Sequence, residues 1–238
     1  MKVSLLVPFQ PDGGYREQNW SVIRNRYQRL MPEVEVCCSV DNSEPFCKAK
    51  AVNDAAEQAH GDLFIITDAD VIFEPELISR LLLVIPVYPW VQPFTTCVRL
   101  SEDATNRLIE QHLPSPMPVM PEDGLTEKIT EAGPLMNAMT RSCFEAVRGY
   151  DERFKGWGWE DIAFSRSLDT ICGPHFRMED TIYHLWHPSS AKTDSPEYQR
   201  NLDLHWRYYY ASVDSKESKS RMKALIDERC QGKALFYS

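Results

Sequence analysis

The stretch Asp62–Phe73, read DLFIITDADVIF, constrains this chain more than any other. Leu63, Phe64, Ile65 and Ile66 form a short apolar run, with His60-Gly61 before it and acids after it. A run without a polar position offers no face to water, so it predicts a strand buried on both sides of an α/β sheet. That strand delivers Thr67-Asp68-Ala69-Asp70 at its carboxyl end, where open α/β sheets bind ligands. Two carboxylates one residue apart can share a hard divalent cation, directly or through water. Asp is also common in turns and caps after strands, so the meaning of the pair depends on its surroundings.

The flanking sequence supplies a sheet. Lys2–Phe9 predicts a first strand, stopped by the turn residues Gln10-Pro11-Asp12-Gly13-Gly14. Gln18–Met31 has helical spacing through Trp20, Ile23, Tyr27 and Leu30, and Pro32 ends it. Val34–Val40 predicts a second strand, which ends in Asp41-Asn42-Ser43. A helix follows over Cys47–Ala59, and after the central strand another opens at Glu74-Pro75. Val87–Leu100 predicts a further strand, bent or at an edge because of Pro89 and Pro93. The order βαβαβαβ implies a largely parallel, doubly wound sheet.

Ser101–Ala132 reads differently. A short helical segment near Asn106–His112 precedes Pro114, Pro116, Pro118 and Pro121, which predicts an irregular excursion. A passive loop and a lid over an acceptor site fit it equally. Leu135–Met139 then predicts a strand, and Ser142-Cys143-Phe144-Glu145 a capping box for a short helix ending at Gly149. A helix is expected over Glu160–Leu168, a strand from Cys172-Gly173-Pro174 to His184, and two amphipathic helices over Tyr198–Tyr210 and Ser218–Arg229.

Composition narrows the function classes. At 238 residues the chain suits one large α/β domain or one domain with a small appendage, and 43% hydrophobic residues suffice for its core. A net charge of -9 argues against a general nucleic-acid-binding surface. The seven cysteines include no C-x-x-C pair, so neither a zinc site nor a redox motif is indicated. Reduced thiols and the lack of a signal peptide or an apolar span lead to the expectation of a cytoplasmic protein without a transmembrane segment. Cys37 and Cys38 should point to opposite faces of their strand.

Two later constellations carry chemistry. In Gly156-Trp157-Gly158-Trp159-Glu160-Asp161, the glycines allow tight backbone geometry and the tryptophans supply flat apolar surface. Glu160 and Asp161 fall at an expected helix N-terminus, where they could be simple caps. Equally, an aromatic pair beside two acids builds a sugar platform, and a carboxylate next to a bound hydroxyl can act as general base. Tyr183-His184-Leu185-Trp186-His187-Pro188 adds two histidines three residues apart. Imidazole suits Mn or Zn, and Asp70 would complete a mixed nitrogen and oxygen site.

Val3–Phe9, Asp41, the Lys48–Ala59 helix with Asn53, and Gly61-Asp62 followed by Thr67-Asp68-Ala69-Asp70 resemble the nucleotide-sugar half of the glycosyltransferase A fold, as in glycosyltransferase family 2. Gly133–Met139, Gly149–Phe154 and the Gly-Trp-Gly-x-Glu-Asp motif resemble the C-terminal region of galactosyltransferases and N-acetylgalactosaminyltransferases, and His184–Pro188 matches their histidine region. The resemblance spans residues 3–190, with its motifs in family order. It implies a Rossmann-like α/β domain over residues 1–190, a mostly parallel central sheet flanked by helices. Residues 1–100 would be the nucleotide-sugar half and residues 101–190 the acceptor and metal half. Residues 191–238 would be a C-terminal helical extension, to which no chemistry is assigned.

The resemblance further implies a transferase that uses a UDP-sugar, with galactose, N-acetylgalactosamine or a close relative, and Mn²⁺ or Mg²⁺. Asp70 would ligate the metal, with His184 as second ligand, His187 as the alternative, and Asp68 on the ribose or a metal-bound water. Pro8, Asp41, Lys48, Asn53, Asp68, Trp157 and Trp159 would bind the donor, Asp41 at the uracil or ribose. Asp161 would take the acceptor proton, giving inversion, while Glu160 holds sugar hydroxyls. Retaining relatives share much of the Trp-Gly-x-Glu region, so stereochemistry rests on Asp161. The acceptor hydroxyl could belong to a saccharide, glycolipid, protein or modified nucleobase. Two other readings compete. A phosphohydrolase or nucleotidyltransferase can use D-x-D but has no need of the tryptophans, and a non-catalytic UDP-sugar-binding protein would keep the fold without turnover.

Overall fold

The structure, a computed structural model, describes residues 1–130, 133–189, 193–213 and 216–230. In chain order its strands and helices are β1 (Val3–Phe9), α1 (Tyr15–Leu30), β2 (Glu35–Val40), α2 (Lys48–Gln58), β3 (Leu63–Thr67), β4 (Val71–Ile72) and α3 (Glu76–Val84). Then come β5 (Trp90–Gln92), β6 (Thr96–Leu100), α4 (Glu102–Glu110), β7 (Leu125–Thr130), β8 (Met136–Thr140), α5 (Arg141–Ala146) and α6 (Glu160–Ile171). The chain continues through β9 (Phe176–Arg177), β10 (Thr181–His184), α7 (Pro196–Ser212) and α8 (Ser218–Cys230).

Six strands form a central sheet in the order β2-β1-β3-β8-β5-β9. β3 is buried at every residue, as its sequence predicts, and its side chains alternate between two cores. Leu63 and Ile65 join Ile23, Tyr27 and Leu81 beneath α1 and α3. Phe64 and Ile66 join Val52, Phe144, Phe164 and Tyr208 beneath α2, α5, α6 and α7. Cys37 and Cys38 divide between these cores in the same way. The side chains of the six described free cysteines form no disulfide. No helix among the described residues is long and apolar enough to cross a membrane.

The central sheet is mostly parallel, as expected, in β2-β1-β3 and in β5-β9, while β8 runs antiparallel to both β3 and β5. Three other expectations from sequence are corrected. Val87–Leu100 is not one strand. It breaks after Gln92 into β5 of the central sheet and β6 of a smaller sheet ordered β4-β10-β6-β7, because Pro93 offers no N–H to continue a ladder. The expected strand before His184 divides likewise into β9 and β10. The short helix α5 is capped by Thr140, whose Oγ1 accepts from Cys143 N at 3.2 Å, rather than by a box at Ser142.

The excursion at 101–130 is more ordered than its prolines imply. It holds α4 and β7, and β7 pairs antiparallel with β6. The buried guanidinium of Arg26 donates to Phe73 O, Glu74 and Pro114 O, and Glu74 accepts from Ser115 and Met117, which fastens the proline-rich segment to α1. Glu131 and Ala132 lie outside the described residues.

Candidate active site

The two sheets meet at the carboxyl end of β3, and the site is built on that junction. In the smaller sheet β10 pairs antiparallel with β4, with His184 opposite Val71, and Leu185 N donates to Asp70 O at 2.9 Å. This register brings the histidine segment beside the Asp68–Asp70 turn. Asp70, His184 and His187 present one ligand atom each, all within 4.8 Å of one another. His187 Nε2 lies 3.0 Å from Asp70 Oδ2, and His184 Nε2 lies 3.4 Å from Oδ1. Asp70 Oδ1 is buried without a hydrogen-bond partner among the described residues.

An unpartnered buried carboxylate oxygen is costly unless a cation meets it. Burial would raise the Asp70 carboxyl, but the neighbouring His184 charge and the His187 bond overcome this and hold it well below the carboxylate range. Burial opposes protonation of His187, and its bond to Asp70 outweighs that and raises it. His187 Nδ1 donates to Pro188 O at 2.8 Å, which leaves Nε2 as its inward-facing nitrogen. One carboxylate and two imidazoles suit a divalent transition ion such as Mn²⁺ or Zn²⁺ better than an all-oxygen cage would.

Asp68, expected as a ligand or a donor contact, stands apart from the triad. Its Oδ1 pairs with Lys48 Nζ at 2.8 Å, and the same Nζ lies 2.8 Å from Asp161 Oδ2. Lys48 reaches both acids from the first turn of α2. Burial works against its charge, but Asp161 and then Asp68 more than offset this and raise its pKa well above normal. Tyr150 OH donates to Asp161 Oδ1 at 2.9 Å. Burial raises the Asp161 carboxyl, against the pull of Lys48. Glu160 is pushed up to about 7, first by burial and then by the charge of Asp161, and its buried Oε2 has no hydrogen-bond partner among the described residues.

The glycine-tryptophan motif is shaped by α7. Gly156 (φ +72°) and Gly158 (φ +105°) sit in the left-handed region, and a Cβ at Gly158 would lie 3.2 Å from the Tyr198 ring. Trp159 itself takes φ 79° as the residue before α6, a strained conformation for a bulky side chain and one typical of functional turns. Trp157 is 47% exposed and stacks on Tyr198, with centroids 5.7 Å apart. Trp159 stacks on His205 at 4.7 Å, so one face of its ring is already covered.

The metal triad, Lys48, the Gly156–Asp161 motif and Tyr198 line one cleft of about 1350 Å³, together with Pro8 and Asp68. Asp41 and Asn53 are not on its wall. The Asp41 carboxylate accepts from Ser43 and from Cys47 N, and Asn53 clamps Tyr150 through both backbone atoms, at 2.8 and 3.0 Å. In this structure both serve the loops that position Lys48 and Asp161. Sequence reasoning missed Tyr198 and Glu197, which line the cleft from α7, and Arg99, Leu100 and Thr126 from the β6–β7 pair. Only the aromatic at Tyr198, in the first turn of a helix capped by Ser195, offered a signal.

The fold is that of the glycosyltransferase A class. Residues 18–130 match the glycosyl transferase family 2 model and residues 127–187 match that for the N-terminal domain of galactosyltransferase, each over less than half of the chain. No curated protein sequence matches it significantly. Among solved structures, Staphylococcus aureus TarS shares the fold at a TM-score of 0.51 and 13% identity, covering 98% of this chain and 44% of that one. The catalytic domain of Drosophila β1,4-galactosyltransferase 7, in complex with xylobiose, is similar at 0.48 and 16%, covering 84% and 79%. GalNAc-T7 with UDP, GalNAc and Mn²⁺ is similar at 0.48 and 14%, covering 98% and 56%.

Proposed function

We propose that this chain moves a sugar, galactose, N-acetylgalactosamine or a close relative, from UDP to an acceptor hydroxyl with inversion. The observation that carries the proposal is the convergence, in one cleft, of the Asp70-His184-His187 cluster with the Glu160-Asp161 carboxylates of a glycosyltransferase fold. The match of residues 127–187 to a galactosyltransferase model supports the choice of donor.

Asp70, His184 and His187 are the residues that would hold Mn²⁺ or Mg²⁺, and the nitrogen ligands favour Mn²⁺. Such an ion supplies Lewis-acid neutralisation of charge on a departing diphosphate. The remaining work falls to side chains. Pro8 and Lys48 border the donor end, and Trp157 with Tyr198 forms an exposed aromatic edge against which a sugar ring can lie. Glu160 Oε2, lacking a partner among the described residues, accepts a bond from a sugar hydroxyl.

Asp161 takes the proton of the acceptor hydroxyl as that oxygen bonds to the anomeric carbon. The bond from that carbon to the UDP oxygen breaks, and UDP leaves with the electron pair. Attack opposite the leaving group inverts the centre, by analogy with inverting glycosidases. Lys48 favours the ionised form of Asp161 against the effect of its burial, and the arriving hydroxyl shares that carboxylate with Lys48 and Tyr150.

The raised Glu160 pKa gives a pH signature. Below about 7 Glu160 is protonated and can no longer accept from a hydroxyl with both oxygens, and above it the carboxylate forms. Transfer should therefore rise with pH through about 7, with an apparent value shared by the Glu160-Asp161 pair. Glu160→Gln should flatten that rise in a pH–rate profile. Donor binding is tested by calorimetry with UDP. Binding in Mn²⁺ that EDTA abolishes is expected, and equal binding in both would remove the metal from the donor site.

A further inference from the structure

Beyond the base carboxylates the cleft does not close. Ile162, on α6, and Pro134 line the cleft and also line a second recess of about 240 Å³, so the two adjoin across these residues. One face of α6 runs along this path, with Ile162, Ser165, Arg166 and Asp169 at helical spacing. The recess is floored by Trp90 and walled by Ser165, Arg166, His175 and Arg177. It is smaller than the roughly 300–1,000 Å³ of a typical small-molecule pocket, so it fits one substituent rather than a whole ligand.

Its charge is opposite to that of its surroundings. The chain carries a net charge of -9, and the cleft wall includes Asp68, Asp70, Glu160, Asp161 and Glu197. Among the described residues the recess brings two guanidinium groups, of which Arg177 already has an interaction of its own, and an imidazole together with a single acid. That acid, Asp169, is already engaged. It accepts from His175 N at 3.0 Å and lies 3.1 Å from the His175 ring nitrogen. Arg166 is held in place by Ser212 Oγ at 3.3 Å and by the Tyr209 ring, 4.7 Å from its guanidinium carbon. Even so, Arg166 Nε and Ser165 Oγ are buried without hydrogen-bond partners among the described residues. Buried donors without acceptors are costly, and an oxyanion is the acceptor that guanidinium groups suit best.

We propose that this recess is an acceptor subsite for an anionic substituent, a phosphate or a carboxylate. Arg166 lies five residues beyond Asp161 on α6, roughly 7–8 Å along the helix axis. Five residues also turn the helix by about 140°, so the anionic group would sit round α6 from Asp161, roughly one to two sugar residues from the hydroxyl that is glycosylated. The proposal rests on the transferase reading of the cleft, and it narrows the acceptor to an anionic saccharide or glycoconjugate.

The test separates the two. Calorimetry on the full chain in EDTA, without donor, would use inorganic phosphate and methyl β-D-glucuronide as probes. At least one should bind. Its affinity should fall tenfold or more in Arg177→Gln, on the edge strand β9, and threefold or more in Ser165→Ala, which removes only the unpartnered hydroxyl. Phosphate alone would point to phosphorylated acceptors and glucuronide alone to uronic acids. Failure of both probes to bind, or equal binding by both variants and the parent chain, would overturn the subsite even where UDP binds normally. Anion binding in a chain that ignores UDP would leave the subsite standing and overturn the donor reading. In transfer assays, Arg177→Gln should raise KM for a phosphorylated or uronic-acid acceptor at least tenfold more than for its neutral counterpart. Equal effects on both acceptors would also overturn the proposal.

Discussion

Asp161→Asn is expected to keep UDP and metal binding and to lose transfer by about 10²-fold or more, the usual size of a general-base contribution. The substitution keeps the shape of the side chain and removes its basicity. It also removes the charge that holds Lys48 at 2.8 Å, while the Lys48 contact with Asp68 remains, so the amine stays anchored. The site should thus retain its geometry, and the loss should fall on kcat rather than on donor affinity. Transfer within a few-fold of the parent rate would remove Asp161 from the base role. Glu160, whose Oε2 has no partner among the described residues and whose pKa is pushed up to about 7, would then be the candidate.

Asp70→Ala is expected to abolish the Mn²⁺-dependent part of UDP binding. Asp70 is the only carboxylate in the three-residue cluster found among the described residues, and it faces both imidazoles. Its loss leaves two neutral nitrogens, a poor site for a hard or borderline dication. The expected readout is a calorimetric titration that is the same in Mn²⁺ and in EDTA. Asp68→Ala offers the contrast, because Asp68 pairs with Lys48 outside the cluster. It should weaken donor binding without removing its metal dependence. Unchanged metal-dependent affinity in Asp70→Ala would refute the ligand assignment.

The sequence discloses those parts of the molecule whose physics is local. β3 is legible because burial on both faces leaves an uninterrupted apolar run, and Asp68–Asp70 follow from where such a strand ends. The Gly156–Asp161 motif is legible because glycine and tryptophan so rarely alternate without a backbone reason, and Gly158 indeed lies against Tyr198. β7 is hidden for the opposite reason. Its residues LTEKIT are mostly exposed, so no apolar signal marks it as a partner for β6. The pairing of Lys48 with Asp161 spans 113 residues and leaves no trace in spacing. Likewise nothing local shows that α7 returns to set Tyr198 against Trp157. Asp41 and Asn53 show the converse limit, since acid and amide side chains at loop edges suit a ligand and a backbone clamp equally well. Here the structure uses them to hold neighbouring loops.

UDP release from a panel of UDP-sugars, run with Mn²⁺ and with EDTA and with and without a mixed pool of saccharide acceptors, tests the central claim most directly. Transferases of this kind should slowly hydrolyse their own donor, so the account predicts metal-dependent release from one sugar, increased by an acceptor and lost in Asp161→Asn. Release that EDTA leaves intact, or no release from any sugar by a chain that binds UDP, would contradict it.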